Sequence, residues 1–496
     1  MFKRIVEKYE KQVHRLLEIL PGTFSWTLIL FPIWGSFWIP HYVAYYIILF
    51  DIFWFYKSGA LAVTSLLSHL KLNAAQKYDW LSDAQKLPNF KKVHHLIVIP
   101  TYMEPLGTIG RGIDSVVKQD LPKKQISVCL AFEEREGKDA KEKAKALAGK
   151  YKNKFANFLI TYHPEIASEV KGKSSNEAYA GKLAKKLLVD KQKREINFII
   201  VTSKDADGIF SEKYLSALTY KFLTSENRDL LFWQPIILYY NNIWKVPAPI
   251  RVMNTLGSVW QTGLNWRTDR LVNYSMYSTS LKLLDEVGYW DVDVIPEDYR
   301  IFFKSFFAKD GKVEVDPIFL PVYADAAEST TYFKSLINFY EQEKRWAWGV
   351  SDDAYIIKKW LTHTHIPFWR RTIRVLKVLE DHFLWPVNWF AITLGATIPV
   401  LLNPLFAQTV MGQNLPKVSF GILSACWVFL AVILIIDFRQ RPKREGQVSL
   451  FRKLMTPFEF VLMPVVTLIF TALPGIDAHT RLMLGKYLEY RVTEKV

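Results

Sequence analysis

Long apolar runs sit at both ends of the chain, while the middle alternates short apolar runs with charged segments. Residues 1–20 are amphipathic and basic, with Lys3, Arg4, Lys8, Lys11 and Arg15, and lack the small-residue cleavage site of a secretory signal. Apolar runs follow at about 23–39 and 42–56, broken at Pro40 and His41, the second extending toward Leu70. Each approaches the roughly 17–25 residues a helix needs to cross a bilayer, which predicts a helical hairpin with its tip outside. Three more stretches lie near the other end, at about 383–402, 420–436 and 454–473. The loop 438–453 carries six Lys/Arg and one Glu, whereas 403–419 carries one Lys. The positive-inside rule puts the first loop inside and the second outside. The stretch 454–473 holds Pro457 and Pro464 and precedes a basic tail, so it is expected to be re-entrant or interfacial.

From about 71 to 374 the period changes. β-rich runs at 95–100, 126–132, 155–161, 196–203 and 313–321 alternate with helical patterns at 106–118 and 176–188. Strands alternating with helices predict an α/β domain with a doubly wound, mostly parallel sheet. In such sheets ligands bind beyond the carboxyl ends of the strands, which is where chemistry is expected. No internal repeat or low-complexity tract interrupts this order.

Composition agrees with a soluble domain joined to a bilayer. The 496 residues exceed one ordinary domain, and 50% are hydrophobic although 23% are charged. The net charge of +16 resides beside the apolar runs and comes with no nucleic-acid recognition motif, so it points to the membrane and not to nucleic acid. Cys129 and Cys426 form neither a metal-type spacing nor a disulfide framework, which fits a cytoplasmic catalytic face.

The strongest local signal is Asp205-Ala206-Asp207-Gly208, two carboxylates delivered by a hydrophobic run into a turn. The spacing suits either a divalent cation, which takes carboxylate oxygens, or a turn whose aspartates cap the next helix. The run from His95 to Pro100 ends in Thr101, Tyr102 and Glu104, polar groups able to grip a base. Lys171, Lys173 and Asn176 put cations and small polar groups at a helix start, which favours anions. The glycine spacing of a Walker phosphate loop is absent there. Glu297 and Asp298 pair two carboxylates after an apolar stretch, where one serves as a general base.

Together these residues resemble the membrane-integrated members of glycosyltransferase family 2, which include cellulose, chitin and hyaluronan synthases. The resemblance runs from about residue 90 to the C-terminus. Its most specific element is Gln342-Glu343-Lys344-Arg345-Trp346, matching the family's Q-x-x-R-W. A second is Tyr490, Val492, Thr493 and Lys495, similar to the gating loop of the processive synthases. The resemblance implies a GT-A-type domain flanked by transmembrane helices. The divisions are a basic helix and hairpin over 1–70, the catalytic domain over 71–330 and interfacial helices over 331–378. Transmembrane helices over 379–437 and a basic loop, apolar segment and gating tail over 438–496 complete the chain.

By the same resemblance Thr101, Tyr102, Glu104 and Glu133 contact the nucleoside, and Lys173 approaches the uridine or diphosphate. Asp205 and Asp207 hold ribose, diphosphate and a Mg²⁺ or Mn²⁺ ion. Asp298 is the base, supported by Glu297. Gln342, Arg345, Thr493 and Lys495 contact the diphosphate, and Trp346 stacks on the acceptor sugar. The chain departs from the family at several points. Met103 stands for the usual Asn, Glu133 and Glu134 for Asp-Asp or Asp-Gly, and Pro296 for Thr. Residues 274–280 replace the cysteine-containing acceptor motif of the large synthases.

Several of these residues also carry plainer readings. Asp51 marks either a functional carboxylate within a span or, beside Lys57, the end of that helix. Glu133 and Glu134 suit a solvated turn, and Trp346 an interfacial belt. His94, His95, His363 and His365 lack ligand-like partners. The expected function is a membrane-bound inverting transfer from a nucleotide-sugar, a UDP-sugar by resemblance, to a glycan. A non-processive transfer to a lipid or lipid-linked acceptor is the alternative, and an inactive membrane scaffold is the reading from another class.

Overall fold

The computed structural model describes residues 2–444, 449 and 455–489. A short helix (Phe2–Lys8) precedes two long ones, α1 (Glu10–Trp38) and α2 (Pro40–Lys77). Ile39 separates them: its N–H still reaches the Gly35 carbonyl at 2.7 Å, and Pro40 then starts α2, where its missing N–H costs nothing. The basic N-terminal stretch is thus split between that short helix and the start of α1, which continues through the first apolar run. Asp51 lies inside α2, fully buried, and not at a helix end. The helix-end reading fails because Lys57 pairs with Glu380 at 2.6 Å and α2 runs on to Lys77.

The central region forms one eight-stranded sheet in the order β3-β2-β1-β4-β7-β6-β8-β5. Its strands are β1 (His94–Thr101), β2 (Ile126–Glu133), β3 (Asn157–His163) and β4 (Ile199–Ser203), then β5 (Ile209–Phe210), β6 (Leu231–Leu238), β7 (Tyr277–Ser280) and β8 (Glu314–Tyr323). β3, β2, β1 and β4 are parallel, as the first half of the sequence predicts. β7 then runs antiparallel between β4 and β6, while β8 returns parallel to β6, so the whole sheet is mixed. β1 and β2 are buried along their whole length, which explains their unbroken apolar runs.

The helices that pack around the sheet and the site include α3 (Leu106–Val117), α4 (Lys173–Lys185), α5 (Ala248–Leu264), α6 (Glu297–Ala308), α7 (Tyr332–Ala347), α8 (Asp353–Thr362), α9 (Phe368–Leu394), α10 (Val410–Gln440) and α11 (Leu473–Met483). The main core lies on both faces of the sheet. A second buried cluster joins Ile236 and Leu238 of β6 to Ile250 of α5, Phe339 of α7, and Phe460 and Phe470. It ties the α/β domain to the apolar helices.

Among the described residues, four helices are long and apolar enough to cross a membrane: Glu10–Trp38, Pro40–Lys77, Val410–Gln440 and Pro457–Met483. The stretch expected to be re-entrant therefore has the length and composition of a span. α9, which contains most of the predicted span 383–402, is not among the four. Its first half carries Arg370, Arg371, Arg374, Lys377, Glu380 and Asp381.

Candidate functional site

The site is assembled from residues just beyond the carboxyl ends of β1, β2 and β4, with α4, α6 and α7 closing on them. After β1 the chain turns sharply, and Glu104 Oε2 accepts from Thr101 Oγ1 at 2.8 Å and from the Tyr102 N–H at 2.5 Å. Met103, at the tip, has φ of 62°, a left-handed conformation that Asn tolerates better than Met. After β2, Glu133 is buried and pairs with Arg135 Nε at 2.5 Å. The Arg135 guanidinium lies 3.9 Å from the centre of the Tyr102 ring. The solvated-turn reading thus fails for Glu133, whereas Glu134 is exposed.

β4 delivers Lys204, Asp205, Ala206 and Asp207. Gly112 of α3 lies so near that a Cβ there would run into the Ala206 carbonyl, so this contact requires glycine. Lys173, at the start of α4, is the hub of the charges. Its Nζ lies 2.9 Å from Asp205 Oδ1 and 2.9 Å from Glu297 Oε1, and donates to the Ser275 carbonyl at 2.7 Å. Ser275 ties the rest together. Its hydroxyl donates to Asp205 Oδ2 and its N–H to Asp298 Oδ2, both at 2.8 Å. The second oxygen of Asp298 accepts the Tyr299 N–H at 2.8 Å. Ser275 has φ of 52°, the kind of strained backbone that persists where surrounding contacts over-determine it. Asp207 Oδ2 accepts the Asp325 N–H at 2.8 Å, and Asp325 pairs with Arg111 at 2.8 Å.

Burial and crowding shift these groups. Burial pushes the Asp298 carboxyl up, opposed by Lys173 and the two backbone N–H groups. It also raises Glu297, opposed by Lys173 and helped by the neighbouring Asp298 charge. Glu177, which accepts from Ser203 Oγ at 2.5 Å, is raised by burial as well. Burial works against the charge of Lys173, yet Asp205, Glu297 and Glu177 outweigh it and raise the ammonium. Lys204, fully buried, is pulled down to about 8 by burial against the attraction of Asp207 and Asp205. Among the described residues no three His, Cys, Asp or Glu side chains gather as metal ligands. Two carboxylates suit a divalent cation whose shell a diphosphate completes, and Asp205 would share its charge between that ion and Lys173.

Glu133, Lys173, Asp205, Asp207, Ser275, Glu297 and Asp298 face one cavity of about 1140 Å³, with Lys204 and Glu177 buried behind it. Gln342, Glu343, Arg345 and Trp346 of α7 form part of its wall, with the Trp346 ring 5.7 Å from that of Tyr239. Trp346 is half-buried on the main core, which disfavours the plain belt reading. Beyond it the cavity continues between Trp385 of α9 and Trp427, Phe429 and Met463, which lie on two of the long apolar helices. His382 of α9 also lines it, its Nδ1 2.6 Å from Asp353 Oδ1. The predicted residues Thr101, Tyr102, Glu104, Glu133, Lys173, Asp205, Asp207, Glu297, Asp298, Gln342, Arg345 and Trp346 all line this one space. Thr493 and Lys495 lie outside the described residues. His94 and His95 are buried against Ser127 and Thr219, away from the site.

Residues 200–438 match the family model described as glycosyl transferase family group 2. The chain thus carries a glycosyltransferase family 2 domain, and its enzyme class is glycosyltransferase. The matched segment holds Asp205, Asp207, Glu297, Asp298 and the whole Gln342–Trp346 pentad, whereas Tyr102, Glu133 and Lys173 precede it. No curated protein matches the chain. Similar solved structures include mannosyltransferase PcManGT from Pyrobaculum calidifontis in complex with GDP-Man and Mn2+. It is 12% identical, with a TM-score of 0.43, covering 80% of this chain and 100% of that one. TarS 1-349 from S. aureus in complex with UDP-GlcNAc is 14% identical, with a TM-score of 0.35, covering 72% of this chain and 95% of that one. Likeness at that level bears on neither donor nor metal.

Residues that sequence reasoning passed over are Ser275, Lys204, Glu177, Arg135 and the Asp353–His382 pair. Ser275 acts mostly through its backbone, which leaves no side-chain signature. Lys204 and Arg135 stand within two residues of predicted site residues, and that adjacency was the one available signal.

Proposed function

We propose that the protein is a membrane-bound, inverting glycosyltransferase that moves a sugar from a nucleotide-sugar to an acceptor reaching the site from the bilayer side. The observation that carries this reading is the single cavity running from the carboxylates around Lys173 to the walls of the long apolar helices. A donor pyrophosphate fits the polar end and an acceptor the other.

In this reading Tyr102 and Glu133 take the base, a uracil if the family pattern holds. Thr101 and Glu104 hold the turn beneath the ribose. Lys173, Gln342 and Arg345 take the diphosphate, and Asp205 and Asp207 would hold Mg²⁺ or Mn²⁺. When bound, such an ion supplies Lewis-acid neutralisation of the leaving diphosphate. Asp298 accepts the proton of the acceptor hydroxyl as its oxygen bonds to the anomeric carbon. The bond from that carbon to the phosphate oxygen breaks, and its electron pair leaves with the diphosphate. Glu297 keeps Lys173 in place. In this reading no covalent intermediate forms on the protein, so one displacement inverts the anomeric centre. Thr493 and Lys495 would close over the donor, excluding water.

The basic loop 438–453 favours a cytoplasmic site by the positive-inside rule. Trp346 and the aromatic walls beyond it favour a glycan acceptor, and the apolar lining also admits a lipid-linked one. The test is to incubate purified protein with α-linked nucleotide-sugars and to determine product size and anomeric configuration. A β-linked product is expected, as polymer or as single-sugar lipid. An α-linked product would overturn the single displacement.

A further inference from the structure

The pentad on α7 holds a residue that the mechanism leaves unused. Glu343 is only 6% exposed, yet it lines the cavity beside Gln342, Arg345 and Trp346. On a helix its side chain shares a face with Trp346, three residues on. Among the described residues no side chain makes a hydrogen bond or ion pair with it. Its basic neighbour Lys344 turns away to Glu341 and Asp477, at 2.8 and 3.5 Å. A buried carboxyl without a partner is unfavourable unless a ligand supplies one. Burial alone pushes its pKa up to about 8, so at neutral pH it is mostly the neutral acid, able both to donate and to accept.

Other unsatisfied polar atoms line the same cavity. Gln261 Oε1, Trp385 Nε1 and Asn388 Oδ1 are buried without a hydrogen-bond partner among the described residues. Gln261 spends its amide on the Tyr239 hydroxyl at 3.2 Å, and the Tyr239 ring packs against Trp346. Donors and acceptors framed by indole rings match a sugar, whose ring stacks while its hydroxyls hydrogen-bond. They do not match an alkyl chain.

We propose that Glu343 is a specificity-determining residue, hydrogen-bonding a hydroxyl of the acceptor glycosyl unit that stacks on Trp346. The proposal rests on the glycosyltransferase reading above. It adds that the acceptor presents a sugar at this point, whether that sugar is free, in a polymer or carried on a lipid. The acid reads the acceptor and takes no part in the proton transfer assigned to Asp298.

The test compares wild type, Glu343→Gln and Glu343→Ala in detergent, with donor affinity measured separately as the control for folding. Glu343→Ala should raise the acceptor KM roughly five- to tenfold with kcat little changed, the loss expected for one neutral hydrogen bond. Glu343→Gln keeps a donor and an acceptor of the same shape and should stay within about twofold of wild type. Donor affinity should be unchanged in both. An unchanged acceptor KM in Glu343→Ala overturns the role of Glu343 and leaves the transferase reading standing. Equal damage in Glu343→Gln overturns it too, because the charge would then be what matters. Wild-type protein that transfers sugar from no donor overturns both readings together.

Discussion

Asp298 meets the protein through both of its oxygens, each accepting a single backbone N–H, from Ser275 and Tyr299. That leaves lone pairs on both oxygens for an acceptor proton. Asp298→Asn should preserve donor binding, measured by calorimetry, and reduce turnover by roughly 10²–10⁴-fold, the usual contribution of a positioned base. Residual turnover near wild type with lost donor affinity would assign Asp298 to binding instead. The pH profile follows from the same burial. Asp298 and Glu297 are both raised, and the deprotonated base is the active form, so protons return to the site sooner on acidification. Turnover should therefore begin to fall while the pH is still above the ordinary carboxylate range. A rate flat down to about pH 4, where an ordinary carboxylate titrates, would contradict the shift. At this scale much of the site was legible, because Asp205, Asp207, Glu297, Asp298 and the pentad form spaced patterns. Ser275 was not, since apart from one hydroxyl bond to Asp205 it contributes a backbone N–H, a carbonyl and a strained φ of 52°.

Among the elements, β1 to β4 and the helices between them follow directly from alternating apolar runs. β6 and β7 do not. β6 contains Pro235, which argues against a strand, and β7 is Tyr277, Ser278, Thr279 and Ser280, a polar sequence that is nonetheless buried. Its Ser278 hydroxyl is satisfied by Thr202 of β4 at 2.8 Å and by Tyr214, on the helix Tyr214–Thr224, at 3.0 Å. Periodicity reports burial of apolar groups, and so it misses a buried polar strand. The packing of α3 against the Asp205 turn makes a separate prediction. Gly112→Ala forces the Ala206 carbonyl to move, displacing both aspartates. Because misplacement of about 1 Å can cost 10²-fold, turnover should fall at least tenfold while the protein still folds. Turnover equal to wild type would show that the turn adapts freely. A further element-scale prediction concerns α7, where Phe333 and Ile337, one turn apart, are exposed. We expect this face to lie at headgroup depth, so a nitroxide at Phe333→Cys should be quenched as an interfacial label. A label wholly in water would count against it.

At the scale of the whole molecule, the second buried cluster fixes the sheet domain onto the long helices, so the cavity has walls of both kinds. Which apolar stretches form long helices was only partly legible. The charges of α9 and the prolines of 457–483 misled the span count, because apolar windows weigh composition and not the helix that contains it. The cation belongs to this scale, since it would join the turn after β4 to the donor. Chelation with the ion shown to be removed should abolish turnover, and Mg²⁺ or Mn²⁺ should restore it. Full turnover without a divalent ion would leave Lys173, Arg345 and Gln342 as the whole diphosphate clamp. The measurement that tests the central claim most directly is the release of nucleoside diphosphate by the purified full chain, in detergent, from a panel of nucleotide-sugars. The account predicts release from at least one donor, uridine-linked sugars first, dependent on a divalent cation and suppressed in Asp298→Asn. No release from any donor, by protein shown to be folded, would contradict it.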